Sequence, residues 1–202
     1  MRRPRSDGGA PVLGLLLGTA LSSTSCAHPT VAAAPGSKTA ATEAESPGER
    51  CRAAAMVCVV AARAADAEKL VGCMPDEVVD YLGGHDALVS KTRAVEADFT
   101  KHGVVIEHVD TTAPTQMKTG GGATFAVVTE ELGLHIDGEA VDIHTYLLGV
   151  SHDGGRSWRF IDGQGVTPRL LDRVYPGFPS DLPLPTVGKP IRHPQPQGHD
   201  AP

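Results

Sequence analysis

Glu131, His144 and Tyr146 come nearest, in residue type and spacing, to a group that could do chemistry. A histidine held by a carboxylate can take up or release a proton, and a nearby tyrosine can offer a hydroxyl. The three are separated in sequence, so only a hairpin brings them together. Asp137-Gly138 supplies one, a strong two-residue turn signal between two long strand-like runs. With Ile136 opposite Glu139, Glu131 falls opposite His144 and Thr129 opposite Tyr146. Val127, Leu148, Phe125 and Val150 share that mixed face. It is open to three readings: solvent-facing, a pocket lining or a self-association surface. The plain alternative to a site is a cross-strand ion pair on a half-exposed sheet. The other face carries Leu134, Leu132, Val128 and Ala126 with Val141, Ile143 and Leu147, and is expected to pack on a helix.

A second pattern is structural. Ser151-His152-Asp153-Gly154-Gly155-Arg156-Ser157-Trp158 reads S-x-D-x-G-x-S-W and resembles the Asp-box turn of sialidases and other β-propellers. The aspartate can accept backbone N–H bonds, and the glycines can take positive φ. Ser151, Asp153, Gly155 and Trp158 are therefore assigned to a turn, with the Trp158 ring folded over the hairpin base. The motif occurs once. A propeller needs several blades of roughly 40–50 residues each, so a sialidase-like architecture is excluded.

Other chemistries lack their spacing. The chain has nine histidines but no HxH or HExxH pattern, and no metal or cofactor is expected. There is no G-x-S-x-G nucleophile turn. Gly120-Gly121-Gly122 is not followed by Lys-Ser/Thr and is not a phosphate loop. A net charge of −6 without a basic, aromatic-studded patch argues against nucleic acid as a partner. Cys51 and Cys58 are seven residues apart on one expected helix, about 10 Å along its axis, too far for a disulfide. Cys73 could pair with either, or all three could be small buried thiols.

The elements that must position these residues form two blocks. Ser46-Pro47-Gly48-Glu49 resembles a capping box, so a long helix is expected from about 47 to 72. A short helix over 76–82 ends at Gly83-Gly84. A third runs from about 85 to 102, with Leu88, Thr92, Val95 and Phe99 on one face. Strands are expected near 104–111, 114–119, 123–135, 139–151 and 157–162. The fold class is α+β: N-terminal helices packed on a curved antiparallel sheet of four to five strands.

The flanks read as an address. Arg2, Arg3 and Arg5 precede an apolar run from Pro11 to Leu21, of signal-peptide length and too short to span a bilayer. The run ends in Ser23-Thr24-Ser25-Cys26, which resembles a bacterial lipobox, although Ser23 stands where Leu, Val or Ile is usual. Either Cys26 carries the lipid or ordinary cleavage occurs near Ala32-Ala33-Ala34. The expected organisation is a signal peptide over 1–26, a disordered tether over 27–48, one domain over 49–187 and a disordered Pro-rich tail over 188–202.

Taken together, Tyr81-Leu82-Gly83-Gly84 opening a helix, the Asp153/Trp158 hairpin and Phe160-Ile161-Asp162 resemble a broad group of uncharacterised bacterial exported proteins with a cystatin-like, NTF2-like cone. The resemblance covers about residues 52–186. It implies a sheet wrapped around helices, often with a cavity, and is silent on activity. The expected function is a non-catalytic module of the bacterial cell envelope. It would be held to a membrane by the Cys26 lipid, facing the periplasm or cell surface, and bind a small ligand or an envelope protein. The alternative is an NTF2-like enzyme with its pocket on the mixed sheet face.

Overall fold

The computed structural model describes residues 45–193. The signal peptide, Cys26, most of the tether and the chain beyond His193 lie outside the described residues. The elements are α1 (Pro47–Arg63), α2 (Ala67–Gly72), α3 (Asp76–Tyr81), α4 (His85–Lys101), β1 (Val105–Thr111), β2 (Met117–Gly120), β3 (Ala123–Ile136), β4 (Glu139–Ser151), β5 (Arg159–Asp162), α5 (Pro168–Val174) and β6 (Ile191–His193). The fold is α+β, helices followed by a curved, unclosed antiparallel sheet.

The β3–β4 hairpin is the centre of that sheet. Asp137 and Gly138 both take positive φ, 52° and 84°, and place Ile136 opposite Glu139. This mirror-image turn matches the right-handed twist of its strands. The register then runs unbroken to Thr124 opposite Ser151. Each outer edge of the hairpin pairs with two shorter strands in succession. β1 and β2 lie along β3, and β5 and β6 lie along β4.

Ser46 caps α1 by accepting from the Glu49 N–H at 3.2 Å, with Pro47 in the first turn. The helix lays Cys51, Ala55 and Cys58 on Ala126, Val128, Trp158 and Phe160, so the more aliphatic sheet face is the one that carries it. The expected single helix over 47–72 is broken. Ala65 turns left-handed at φ 55°, and Asp66 starts α2 by accepting from the Lys69 N–H at 3.1 Å. The break re-aims α2 so that Ala67 and Val71 pack with Val79, Leu88 and Val89.

The mixed sheet face is also covered over half its length. Phe125, Tyr146, Leu148 and Val150 pack under Leu170 of α5, Tyr175 and Leu182. The Phe125 ring meets Tyr175 and Phe178 edge-on, at centroid distances of 5.3 and 4.9 Å. The Pro-rich segment is thus a strap across the sheet. Its end corrects the expected strand count and tail: the sheet has six strands, and residues 191–193 form β6 rather than a disordered end. The cause is an open edge. β5 pairs only with the second half of β4, which leaves Ala140–Asp142 free to bond Ile191–His193. Arg192–Glu139 at 2.5 Å and His193–Asp142 at 2.7 Å add exposed ion pairs.

Phe125 is 1% exposed and joins the hairpin to the strap. Phe125→Ala is expected to lower the unfolding free energy by about 3–5 kcal/mol in urea titrations. A loss below about 1 kcal/mol would mean the strap does not pack as described.

Candidate functional site

A cavity of about 220 Å³ lies between the helices and the aliphatic sheet face. Its walls are mostly apolar: Val59 and Ala62 of α1, Leu70 and Val71 of α2, and Leu132, Ile143 and Leu147 of the hairpin. Polar groups are few and face one another. Glu130 and Thr145 are directly opposite across β3 and β4, while Asp162 sits opposite Leu147 one strand over. Thr92, Gln164, Cys58 and Cys73 complete the polar lining, which among the described residues contains no lysine, arginine or histidine.

Glu130 is 8% exposed, and no hydrogen bond reaches its carboxylate among the described residues. Burial, with the nearby charge of Asp162 adding to it, pushes its pKa up to about 7. Asp162 keeps accessible surface at the cavity but is densely surrounded by protein. Desolvation raises its pKa, opposed by a 2.8 Å bond from the Gln164 N–H. The Thr145 hydroxyl, buried beside Glu130, has no partner. A protonated Glu130 can donate a hydrogen bond into the cavity, an ionised one can bind a cation, and near neutral pH both forms coexist.

The sequence-nominated group does not assemble into one site. Glu131 and His144 are opposite each other on β3 and β4, as the turn dictates, but both are exposed and no hydrogen bond or ion pair joins them. They line an open surface groove of about 310 Å³ with Asp110, Thr129, Pro185 and Thr186. Tyr146 is absent from that groove. Its ring is 3% exposed in the core beneath the strap, and burial, with the charge of Asp162, raises its pKa.

The Asp-box segment is a dense hydrogen-bonded turn. Asp153 Oδ1 accepts from the Ser151 hydroxyl at 2.8 Å and from the Arg156 and Ser157 N–H groups at 2.9 Å. Its Oδ2 accepts from the Ser157 hydroxyl at 2.6 Å. These bonds hold its carboxyl far below the usual range, the Ser157 hydroxyl first among them. Gly155, at φ 83°, packs so closely on Pro47 and Trp158 that an added Cβ would lie 3.1 and 3.3 Å from them. Trp158 is 6% exposed, against α1. All four residues are spent on the turn and its packing.

Sequence reasoning passed over Glu130 and Asp162, though a signal was present. The register that puts Glu131 opposite His144 also puts Glu130 opposite Thr145, in the middle of the aliphatic face. An acid interrupting an otherwise apolar alternation marks a buried titratable group. Among the described residues no cluster of three or more His, Cys, Asp or Glu could hold a metal ion, and no helix is long and apolar enough to cross a membrane.

Glu130 gives the fold a pH signature. Its ordinary value is 4.5 and its folded value about 7, so the folded state keeps a proton that the unfolded chain has lost in that window. Its stabilising contribution is complete below about 4.5 and disappears as pH rises through 7. The swing is roughly 3 kcal/mol. Glu130→Gln is expected to flatten the fall in urea stability between pH 5 and pH 8 and to be the more stable protein at pH 8. An unchanged slope would remove Glu130 from the buried set.

No protein-family model matches this chain, and neither a curated protein nor a solved structure is significantly similar to it. What the cavity does therefore rests on its own chemistry.

Proposed function

We propose that the domain is a ligand-binding module whose cavity encloses a compact, mostly apolar molecule bearing one amine. The observation that supports this most directly is a pair of carboxylates, buried Glu130 and exposed Asp162, in a mostly apolar cavity without a basic side chain among its described lining residues. An ammonium group would pair with both carboxylates, whereas an anionic ligand would be repelled by each of them that is ionised. The unpartnered Thr145 hydroxyl supplies a further hydrogen bond. The size also suits a small molecule. About 220 Å³ exceeds the roughly 150 Å³ that admits benzene into a dry protein cavity. Amine binding favours ionised Glu130, so it should release protons near neutral pH.

The test is calorimetry with benzylamine, benzyl alcohol and benzoate at pH 7. Benzylamine should bind at least tenfold more tightly than benzoate, with proton uptake by the buffer. Ala62→Phe, which fills the helix side of the cavity, should abolish binding while leaving the circular dichroism spectrum intact. Equal affinity for benzoate, or benzylamine binding that survives Ala62→Phe, would overturn the assignment.

One observation favours a second reading, an acid–base enzyme in a cystatin-like, NTF2-like cone. The Glu130 pKa of about 7 suits a general acid or base. That reading places the chemistry in the helix-covered cavity rather than on the mixed face with Glu131 and His144. Preference for the neutral alcohol in the same titration would support it over the amine reading.

We also propose that the domain works outside the cytoplasm, tethered through a lipid on Cys26. The support is the basic start, the short apolar run and the small residues before Cys26. Mass spectrometry of the mature N-terminal peptide should find it beginning at a diacylated Cys26. An unmodified peptide starting near Ala33 would remove the anchor.

A further inference from the structure

We propose that Cys58 and Cys73 are a redox pair that closes into a disulfide across one wall of the cavity, by exchange with a disulfide-bearing oxidant. Cys58 stands on α1, and Cys73 follows directly on α2 as its C-cap. Both line the cavity, and Cys73 packs against the buried cluster that contains Cys58. Their backbones are held from separate sides. Cys58 lies inside a helix, and the Cys73 carbonyl accepts from the Phe160 N–H of β5 at 2.8 Å. Cys51 is fully buried in the α1–sheet packing and does not line the cavity. Of the three described cysteines, all free thiols, only Cys58 and Cys73 line the cavity.

The two thiols have unequal roles. The neighbouring Cys58 and the positive charge of Arg159 favour a thiolate at Cys73, whereas Cys73 and burial hold Cys58 protonated, its S–H donated to the Ala54 carbonyl at 3.4 Å. Cys73 is also the more accessible of the two. Its sulfur attacks one sulfur of the oxidant, and the oxidant's S–S bond breaks, expelling a thiolate. That thiolate takes the Cys58 proton. Cys58 sulfur then attacks Cys73 sulfur, breaking the mixed disulfide and releasing the oxidant's second half as a thiolate. Two electrons pass to the oxidant, which leaves as one thiol and one thiolate. The new bond bypasses the break at Ala64–Asp66 and ties α1 to the α2–α3 junction. The cavity wall would then be fixed by a covalent bond as well as by packing.

The experiment uses the full chain and oxidised glutathione as oxidant, followed by N-ethylmaleimide in denaturant and peptide mapping. The expected product is a Cys58–Cys73 cross-linked peptide, with Cys51 recovered as the maleimide adduct. Oxidation should raise Tm by several degrees in the parent and in Cys51→Ala, and not in Cys73→Ala. Recovery of Cys58 and Cys73 as maleimide adducts would overturn the proposal. So would a stable glutathione adduct on Cys73, or a cross-link through Cys51. The peptide map of the parent decides the matter even if a variant fails to fold.

Discussion

The antiparallel pairing of β3 with β4, thirteen residues deep, is the constraint on which the remaining structure depends. Side chains alternate across a strand, so a single turn assigns every residue of the hairpin to one face or the other. Asp137 and Gly138 make that assignment. One face receives α1 and the other the C-terminal strap, and each outer edge is long enough to take two short strands. A slip by one residue would exchange Phe125 and Leu148 with Ala126 and Leu147, and would carry Glu130 and Thr145 out of the cavity. The core and the cavity therefore share one determinant.

That shared determinant sets stability against polarity. The position of Glu130 would suit a leucine, being flanked on its face by Val128 and Leu132 and buried to 8% exposure. Its carboxyl lacks a hydrogen-bond donor and has another acid for a neighbour. Holding a group of that kind weakens the fold whenever it ionises. Asp153 is the opposite case. Its carboxylate is saturated with donors from its own turn. The same functional group is structural where donors converge on it, and available for chemistry where they do not.

Much of this arrangement was legible in the sequence because local rules are strong where glycine, proline and capping residues cluster. Asp137-Gly138 determined a register that the structure reproduces through its full length. Ser46-Pro47 marked the start of α1, and Gly83-Gly84 separated the short helix from α4. The break at Ala65 was hidden in an alanine-rich run whose intrinsic preference is helical throughout; only Asp66 hinted at a new cap. β6 was illegible for a different reason. Three residues form a strand there because β5 is short, and no property of Ile191, Arg192 and His193 reveals the length of a distant strand. Leu182, Leu184 and Val187 lie between the prolines of the strap and pack with the Phe125 cluster, a placement that proline-rich composition does not specify. Glu130 was readable from the register itself.

The strap also governs when the fold can be completed. The residues that cover Phe125, Tyr146 and Leu148 come from the last part of the described chain, and β6 ends it. While the chain is being synthesised, the hairpin can form but one of its faces stays bare and one edge stays half-paired. A nascent chain of this kind exposes an apolar surface until the strap emerges. The order of residues along the polypeptide thus keeps this sheet face and edge incomplete until the strap and β6 have been made.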